Sequence, residues 1–121
     1  MSGEIIHFEI PAQDPKTIQK FYGSVFGWKF EEMGGQVEYW NVRGAGIGGA
    51  VMRKVGPNQG PINYIKVDDI DRQCQKIRDA GGRIQHPKQA VPGLGWFSIG
   101  IDPEGNSFGL WQDDAGAFPP A

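Results

Sequence analysis

The chain has 121 residues, enough for one domain with a modest core and too few for two independent globular domains. Its formal net charge is −2 and no stretch clusters lysine and arginine, so the basic patch typical of nucleic-acid binding is absent. No apolar run approaches the roughly 18 residues of a membrane-spanning helix, and residues 1–4 lack the features of a signal peptide. With Cys74 as the single cysteine, we expect a cytoplasmic protein without an internal disulfide.

The first half of the chain predicts a strand, a helix and three further strands. In residues 5–10 apolar and polar side chains alternate, which places His7 and Glu9 on one face of the strand. Asp14 followed by proline is a typical helix start, and an apolar stripe at helical spacing continues to Gly27, which ends the helix. The later strands are expected at 28–33, 37–42 and 46–52.

The second half repeats this order. A strand at 62–67 leads to a helix that either Asp68 or Asp69 could cap. His86 precedes a proline and is expected in a loop. The later strands are expected at 83–86, 96–101 and 106–111.

Each half is therefore a β-α-β-β-β module, and a chain that repeats itself in this way builds one site from two related modules. We expect a single domain with the following parts: module one at about 4–54, a linker at 55–61, module two at about 62–112 and a loosely held tail at 113–121.

Over residues 4–112 this order of elements resembles the glyoxalase/bleomycin-resistance/dioxygenase superfamily, the vicinal oxygen chelate fold. The segments that carry the resemblance are Phe21-Tyr22-Gly23, Phe26-Gly27-Trp28, Val67-Asp68-Asp69-Ile70-Asp71, Ala80-Gly81-Gly82, and Asp102-Pro103-Glu104-Gly105-Asn106 running into Phe108-Gly109-Leu110-Trp111. The resemblance implies an α+β fold in which two modules form one cupped mixed sheet with helices on its outer face. It also implies a homodimer, since members of this family often pair.

Metal-dependent members of this family place four side-chain ligands in the cup, from the first and last strands of each module. Matched by position, His7 is retained, whereas Tyr64 and Gly109 occupy the two positions of module two and the fourth falls at or beside Gly49. One imidazole cannot hold a divalent metal, which usually needs about three protein ligands. We therefore expect no cofactor; the alternative is a rebuilt metal site to which Glu9 adds a carboxylate.

His7 and Glu9 are the candidate catalytic residues. His7 is either a structural remnant that hydrogen-bonds Tyr64 or a water, or a ligand contact or general base with an unperturbed pKa near 6.5. Glu9 and Lys66 occupy equivalent positions in the two modules, where they would pair with each other or anchor a polar ligand.

The other candidate ligand-binding residues are matched between modules. Tyr39 corresponds to Trp96 and Asn41 to Ser98, each 57 residues later, while Trp111 shares the face of Gly109 by alternation. Glycine at former ligand positions leaves space that Tyr64, Trp96 and Trp111 could wall for a flat or apolar ligand. Core positions are expected for Trp40, Phe97 and Phe108, and Cys74 is interpreted as a buried, inert thiol.

We interpret the chain as a glyoxalase-like small-molecule-binding protein that sequesters or senses an apolar or aromatic metabolite or antibiotic. The alternative is a lyase, isomerase or dioxygenase-like enzyme that uses a rebuilt metal site around His7 or metal-free acid–base chemistry. Neither hypothesis involves a nucleic acid or a membrane.

Overall fold

The structure, a computed structural model, describes residues 2–34, 38–56 and 59–120. In chain order the elements are β1 (Ile5–Ala12), α1 (Pro15–Phe26), β2 (Lys29–Glu32), β3 (Tyr39–Arg43), β4 (Gly48–Arg53), β5 (Ile62–Lys66), α2 (Ile70–Asp79), β6 (Arg83–Val91), β7 (Gly95–Ile101) and β8 (Ser107–Asp113). The α+β class and the repeated β-α-β-β-β order are thereby confirmed. Of the residues assigned to predicted strands, Val37 lies outside the described ones. In the part of the chain that the structure describes, no helix is long and apolar enough to cross a membrane.

The chain divides into two compact units, a first unit at Ile6–Ile62 and a second unit that combines residues 2–5 with residues 63–120. The predicted linker at 55–61 falls within the first unit, and two of its residues, 57 and 58, lie outside the described residues.

The first unit contains a four-stranded sheet in the order β2-β3-β4-β1. β1 runs parallel to β4, and the other two pairings are antiparallel. Helix α1 covers one face of this sheet, where Ile18 packs with Phe8, Ile10 and Val51. In each unit we call the side of the sheet that carries the helix the helix face, and the opposite side the far face.

Helix α1 begins and ends at the predicted residues. The Asp14 carboxylate accepts a hydrogen bond from the backbone N–H of Thr17, and Pro15 is the first helical residue. Gly27 adopts a left-handed conformation, with φ of 76°, and donates its N–H to the carbonyl of Gly23. Because the sheet covers one side of the helix, Phe26 on another side stays 61% exposed.

The second unit contains a sheet in the order β5-β8-β7-β6, with β5 parallel to β8 and the remaining pairings antiparallel. Helix α2 buries Ile70 and Cys74 against Val67 and Leu110 on the helix face. The predicted burial of the Cys74 thiol is confirmed.

Strand β6 is longer than predicted. The sequence places the strand at 83–86 and His86 in a loop, whereas β6 runs to Val91 and contains both His86 and Pro87. Proline is tolerated because β6 is the terminal strand of its sheet and its register shifts on both sides of His86.

The tail is held more firmly than predicted. β8 extends to Asp113, and the backbone N–H of Asp114 donates to the carbonyl of Leu94 at 2.9 Å. The carbonyl of Ala117 accepts from the N–H of Gly93 at 2.9 Å, and Ala117 is fully buried. The expectation of a loose tail is therefore wrong for residues 113–117, because these residues pack against the turn between β6 and β7.

The two candidate caps of helix α2 provide a matched pair of variants. The Asp69 side chain accepts a hydrogen bond from the N–H of Arg72 at 3.1 Å, which makes it the N-cap. We expect Asp69→Ala to lower the free energy of unfolding by about 1 kcal/mol and Asp68→Ala to change it little. Urea unfolding of both variants measures this difference, and equal losses would contradict the assignment.

Candidate functional site

The far face of the first unit carries a cluster of polar side chains. Residues paired across neighbouring strands share a face, and β1 pairs with β4 through His7 with Gly48 and Glu9 with Ala50. Ala50 also pairs with Asn41 of β3, two residues from Tyr39. Alternation along β3 therefore places Tyr39 on the far face with His7 and Glu9, as predicted.

Tyr39 links His7 to Glu9. Its hydroxyl lies 3.1 Å from Nε2 of His7 and donates to Oε2 of Glu9, also at 3.1 Å. The phenol must extend across β4 to make these contacts, because β4 lies between β3 and β1. It can do so since the two β4 residues paired with His7 and Glu9 are the small residues Gly48 and Ala50. We call His7, Tyr39 and Glu9 the polar triad.

Burial shifts the pKa of two members of the triad, in each case in the direction that favours the neutral form. It lowers the pKa of His7 from 6.5, so the imidazole is neutral at pH 7. Burial, the negative charge of Glu9 and the hydrogen bond to Glu9 all raise the pKa of Tyr39, so the phenol keeps its proton. A neutral imidazole and a protonated phenol thus lie beside one carboxylate, an arrangement that can bind polar groups or relay a proton.

The far face of the second unit is filled by its own side chains. Tyr64 pairs with Gly109, and a Cβ atom added at Gly109 would lie 2.3 Å from the Tyr64 ring. Tyr64 is 7% exposed. The sequence predicts open space above Gly109, and this prediction is wrong because the phenol ring occupies that space.

Lys66 and Trp111 also lie on this far face, where both contact Asp113. The indole N–H of Trp111 donates to Asp113 at 2.7 Å, and Nζ of Lys66 lies 3.3 Å from the same carboxylate. The hydrogen bond from Trp111, and then that from Lys66, lowers the pKa of Asp113. These two candidate ligand-binding residues therefore take part in a polar cluster with Asp113 at the protein surface.

Trp96 and Ser98 lie on the helix face, contrary to the prediction. Ser98 is fully buried, donates to the carbonyl of His86 at 2.7 Å and lies 3.8 Å from the Cys74 thiol. Trp96 packs against the apolar cluster beneath α2. Both side chains contribute to packing in the second unit.

Phe97 lies on the far face, whereas the sequence predicts a core position for it. It was predicted in the core with Trp40 and Phe108, which do pack on the helix faces of their units. Phe97 instead pairs with Trp111 on the far face and stacks on His86 at a ring distance of 5.2 Å.

A one-residue error in the offset between modules explains these misplacements. In the first unit Glu9 pairs with Ala50, which pairs with Asn41. In the second unit the equivalent pairings join Lys66 to Trp111 and Trp111 to Phe97. Asn41 therefore corresponds to Phe97 and not to Ser98. Because side chains alternate along a strand, a shift of one residue moves each of them to the other face.

The fourth ligand position, predicted at or beside Gly49, is that of Gly48, and the choice of Gly49 itself reflects the same error in offset. A Cβ atom at Gly49 would lie 2.2 Å from the Phe8 ring, so Gly49 belongs to the helix face. The glycine beside His7 is Gly48, whose Cβ position lies 3.3 Å from Nδ1 of His7. The register between the parallel strands β1 and β4 determines which glycine lies beside His7, and the sequence alone does not reveal that register.

A cavity of about 140 Å³ lies on the helix face of the second unit. Its apolar lining includes Ile65, Val67 and Phe108, and Gln73 contributes a polar group. None of the residues predicted to bind a ligand lines it.

Comparison with known proteins identifies the family. The sequence profile described as "Glyoxalase/Bleomycin resistance protein/Dioxygenase superfamily" matches residues 4–110. The chain belongs to this superfamily.

Its relatives include a "Putative glyoxylase CFP32" of Mycobacterium bovis, 30% identical over 113 residues that cover 86% of this chain and 43% of that protein. The chain thus spans less than half the length of this curated relative. Among solved structures, the hypothetical protein BH1468 of Bacillus halodurans superposes with a TM-score of 0.72 at 14% identity. The match covers 98% of this chain and 100% of the BH1468 chain. Methylmalonyl-CoA epimerase of Mycobacterium tuberculosis superposes with a TM-score of 0.67 at 15% identity, and the match covers 90% of this chain and 87% of the epimerase chain. At these identities the two structures establish the fold alone.

The residues at the family's metal-ligand positions do not fit a conventional divalent-metal site. His7 supplies an imidazole, but Gly48 and Gly109 have no side chain and the phenol of Tyr64 is an uncommon ligand for these metals. Within residues 2–34, 38–56 and 59–120, no three histidine, cysteine or acidic side chains are grouped to hold an ion.

This donor set predicts the response to metal ions. We expect Zn²⁺, Ni²⁺, Mn²⁺ or Fe²⁺ added to metal-stripped protein to leave the Tm of wild type and of His7→Ala equally unchanged. An ion at 100 times its Kd would add about 2.7 kcal/mol of stability, which thermal unfolding would register as several degrees. A shift that disappears in His7→Ala would instead indicate a rebuilt metal site.

The lowered pKa of His7 predicts a pH dependence of stability. The unfolded chain binds the His7 proton near pH 6.5, whereas the folded chain binds it only at lower pH. The free energy of unfolding should therefore decrease as the pH falls through about 6.5 towards the folded pKa. Urea unfolding between pH 8 and pH 5 should show a weaker decrease in His7→Gln than in wild type. Identical pH dependence of the two proteins would contradict the prediction, and His86→Gln controls for the loss of a histidine elsewhere.

Proposed function

We propose that this chain binds a small molecule on the far face of the first unit and holds it through the polar triad. The carrying observation is that His7, Tyr39 and Glu9 lie within hydrogen-bond distance on one face while each remains partly exposed. Desolvating three polar groups is costly unless they are bonded to one another or to a ligand. Their partial exposure leaves part of this group accessible to a bound molecule.

The contacts of the first unit favour a ligand with polar groups. The aromatic side chains predicted to form an apolar wall lie in the second unit, where Tyr64 covers Gly109 and Trp111 bonds Asp113. The hypothesis of a sequestering or sensing protein is retained, with a polar metabolite in place of a purely apolar one. Location in the cytoplasm and assembly as a homodimer remain parts of this proposal, the latter testable by sedimentation equilibrium.

A second candidate function is metal-free proton transfer, in an isomerase or lyase. It is supported by the neutral imidazole of His7, which can act as a general base while the phenol of Tyr39 keeps its proton. The neighbours of this fold include a solved complex of methylmalonyl-CoA epimerase with methylmalonyl-CoA and NH4+. Methylmalonyl-CoA is therefore the first probe for both functions.

Binding is tested with a matched pair of tyrosine variants. Tyr39→Phe removes the hydroxyl of the triad, whereas Tyr22→Phe removes a hydroxyl from helix α1, where the Tyr22 ring stacks on Trp28. We expect Tyr39→Phe to weaken binding about tenfold, since a hydrogen bond contributes about 1 kcal/mol or more, and Tyr22→Phe to leave it unchanged. Methylmalonyl-CoA and a panel of small hydroxy acids and phenols serve as probes, measured by titration calorimetry.

Equal affinities of the two variants would contradict the site, and failure of every probe would count against a binding function. Proton transfer is tested separately by incubating the protein with methylmalonyl-CoA in D₂O and following deuterium incorporation by NMR. His7→Gln should abolish any incorporation, and incorporation that persists in this variant would exclude His7 as the base.

A further inference from the structure

The cavity on the helix face of the second unit is large enough for one small ring. Its volume is about 140 Å³, and an engineered cavity of about 150 Å³ with an apolar lining binds benzene. Six of the side chains around it come from the sheet and from α2: Ile65, Val67, Phe108, Leu110, Gln73 and Ile77. None of these six is charged, so a charged ligand would lose hydration on entry without gaining an ionic partner from them. The lining therefore favours neutral ligands.

One position in this lining is polar where the first unit is apolar. Asp14 and Asp69 are the N-caps of the two helices, so each residue of α1 corresponds to the residue 55 positions later in α2. Ile18 therefore corresponds to Gln73. Ile18 packs with the apolar cluster around Val51, whereas Gln73 brings an amide to the equivalent place. An amide that lines an apolar cavity costs free energy unless it is hydrogen-bonded, so packing alone does not account for Gln73.

The side-chain amide of Gln73 can bond to a ligand. The backbone N–H of Gln73 donates to the carbonyl of Asp69 at 3.0 Å, as in any helix. Within residues 2–34, 38–56 and 59–120, no hydrogen bond joins its side-chain amide to another group. The amide donates through its NH₂ group and accepts through its oxygen, so one hydroxyl or one amide group on a ligand would satisfy it.

The entrance to the cavity lies beside the segment that precedes β1. Ser2 and Gly3 border the cavity and are both exposed. The N–H of Gly3 donates to the carbonyl of Lys66 at 2.7 Å, which holds this segment beside β5. A Cβ atom added at Gly3 would meet no atom within 4 Å, so the space outside the segment is open. A small molecule can therefore reach the cavity from solvent on this side.

We propose that this cavity is a second ligand site, which takes a small neutral molecule with one apolar ring and one hydroxyl or amide group bonded to Gln73. Phenol has this size and chemistry, and toluene has the same size without the hydroxyl. The site does not depend on the polar triad, which belongs to the far face of the first unit.

The site is located by ¹³C NMR of the isoleucine methyl groups during titration with phenol. Phenol should shift the signals of Ile65 and Ile77 and leave that of Ile18 in α1 unchanged. Ile65→Val and Ile77→Val assign the two signals. Benzoate, a ring with a charged group, should shift neither signal at the same concentration. The absence of any shift with phenol, shifts confined to the first unit, or an equal response to benzoate would overturn the proposal.

The role of Gln73 is tested with a matched pair of glutamine variants. Gln73→Met keeps the length of the side chain and removes the amide, so phenol should bind about fivefold more weakly, the factor that one hydrogen bond contributes, while toluene binds as before. Gln75→Met is the control, because Gln75 is exposed on the same helix and bonds Asp79 at 2.9 Å. Equal phenol affinities of the two variants would overturn the bond to Gln73.

A larger side chain in the lining tests the cavity itself. Ile77→Phe places a ring where the corresponding residue of α1 is Tyr22, and it should abolish the response of Ile65 to phenol and toluene. If this variant does not fold, Val67→Ile, which adds one methyl group to the lining, should weaken both responses. Phenol binding that persists in the folded filling variant would overturn the proposal. Phenol binding that is lost in Tyr39→Phe would assign phenol to the triad and also overturn it. Because the methyl signals of the second unit report the cavity alone, failure of the triad probes would leave this result standing.

Discussion

The site of the first unit depends on the parallel pairing of β1 with β4. This register places Gly48 beside His7 and Ala50 beside Glu9, so the strand between β1 and β3 carries little side-chain bulk at these points. The Tyr39 phenol can then extend across β4 and bond to both residues. A larger residue at position 50 would separate the phenol from β1 and break its hydrogen bonds to His7 and Glu9.

The second unit uses the same order of elements for a different purpose. In the first unit the small residues Gly48 and Ala50 lie beneath the hydrogen bonds of Tyr39. In the second unit Gly109 lies beneath the Tyr64 ring. Lys66, at the position equivalent to Glu9, is bound to Asp113. The equivalent strands thus carry a polar triad in the first unit, and a buried phenol ring beside a surface ion pair in the second, although the backbone pairings are alike.

The sequence predicts the elements well and the site in part. Periodicity and capping residues locate both helices, and alternation in β1 correctly places His7 and Glu9 together, since these signals are local. The faces of Gly49, Trp96 and Ser98 were wrong because they depend on register between strands, which is set by loop lengths and long-range packing. The bond from Tyr39 to His7 joins residues 32 positions apart, and no local pattern reports such a contact.

The anchored tail bears on how the molecule is assembled during synthesis. All the described strand pairings of the first unit lie between Ile6 and Ile62, so this part of the chain can form its sheet while later residues are still being added. The second unit needs both residues 2–5 and the buried Ala117, which emerges after the whole of the first unit. The two repeated modules therefore differ in the stretch of chain that each needs, a continuous segment for the unit that carries the polar triad and two separated segments for the other.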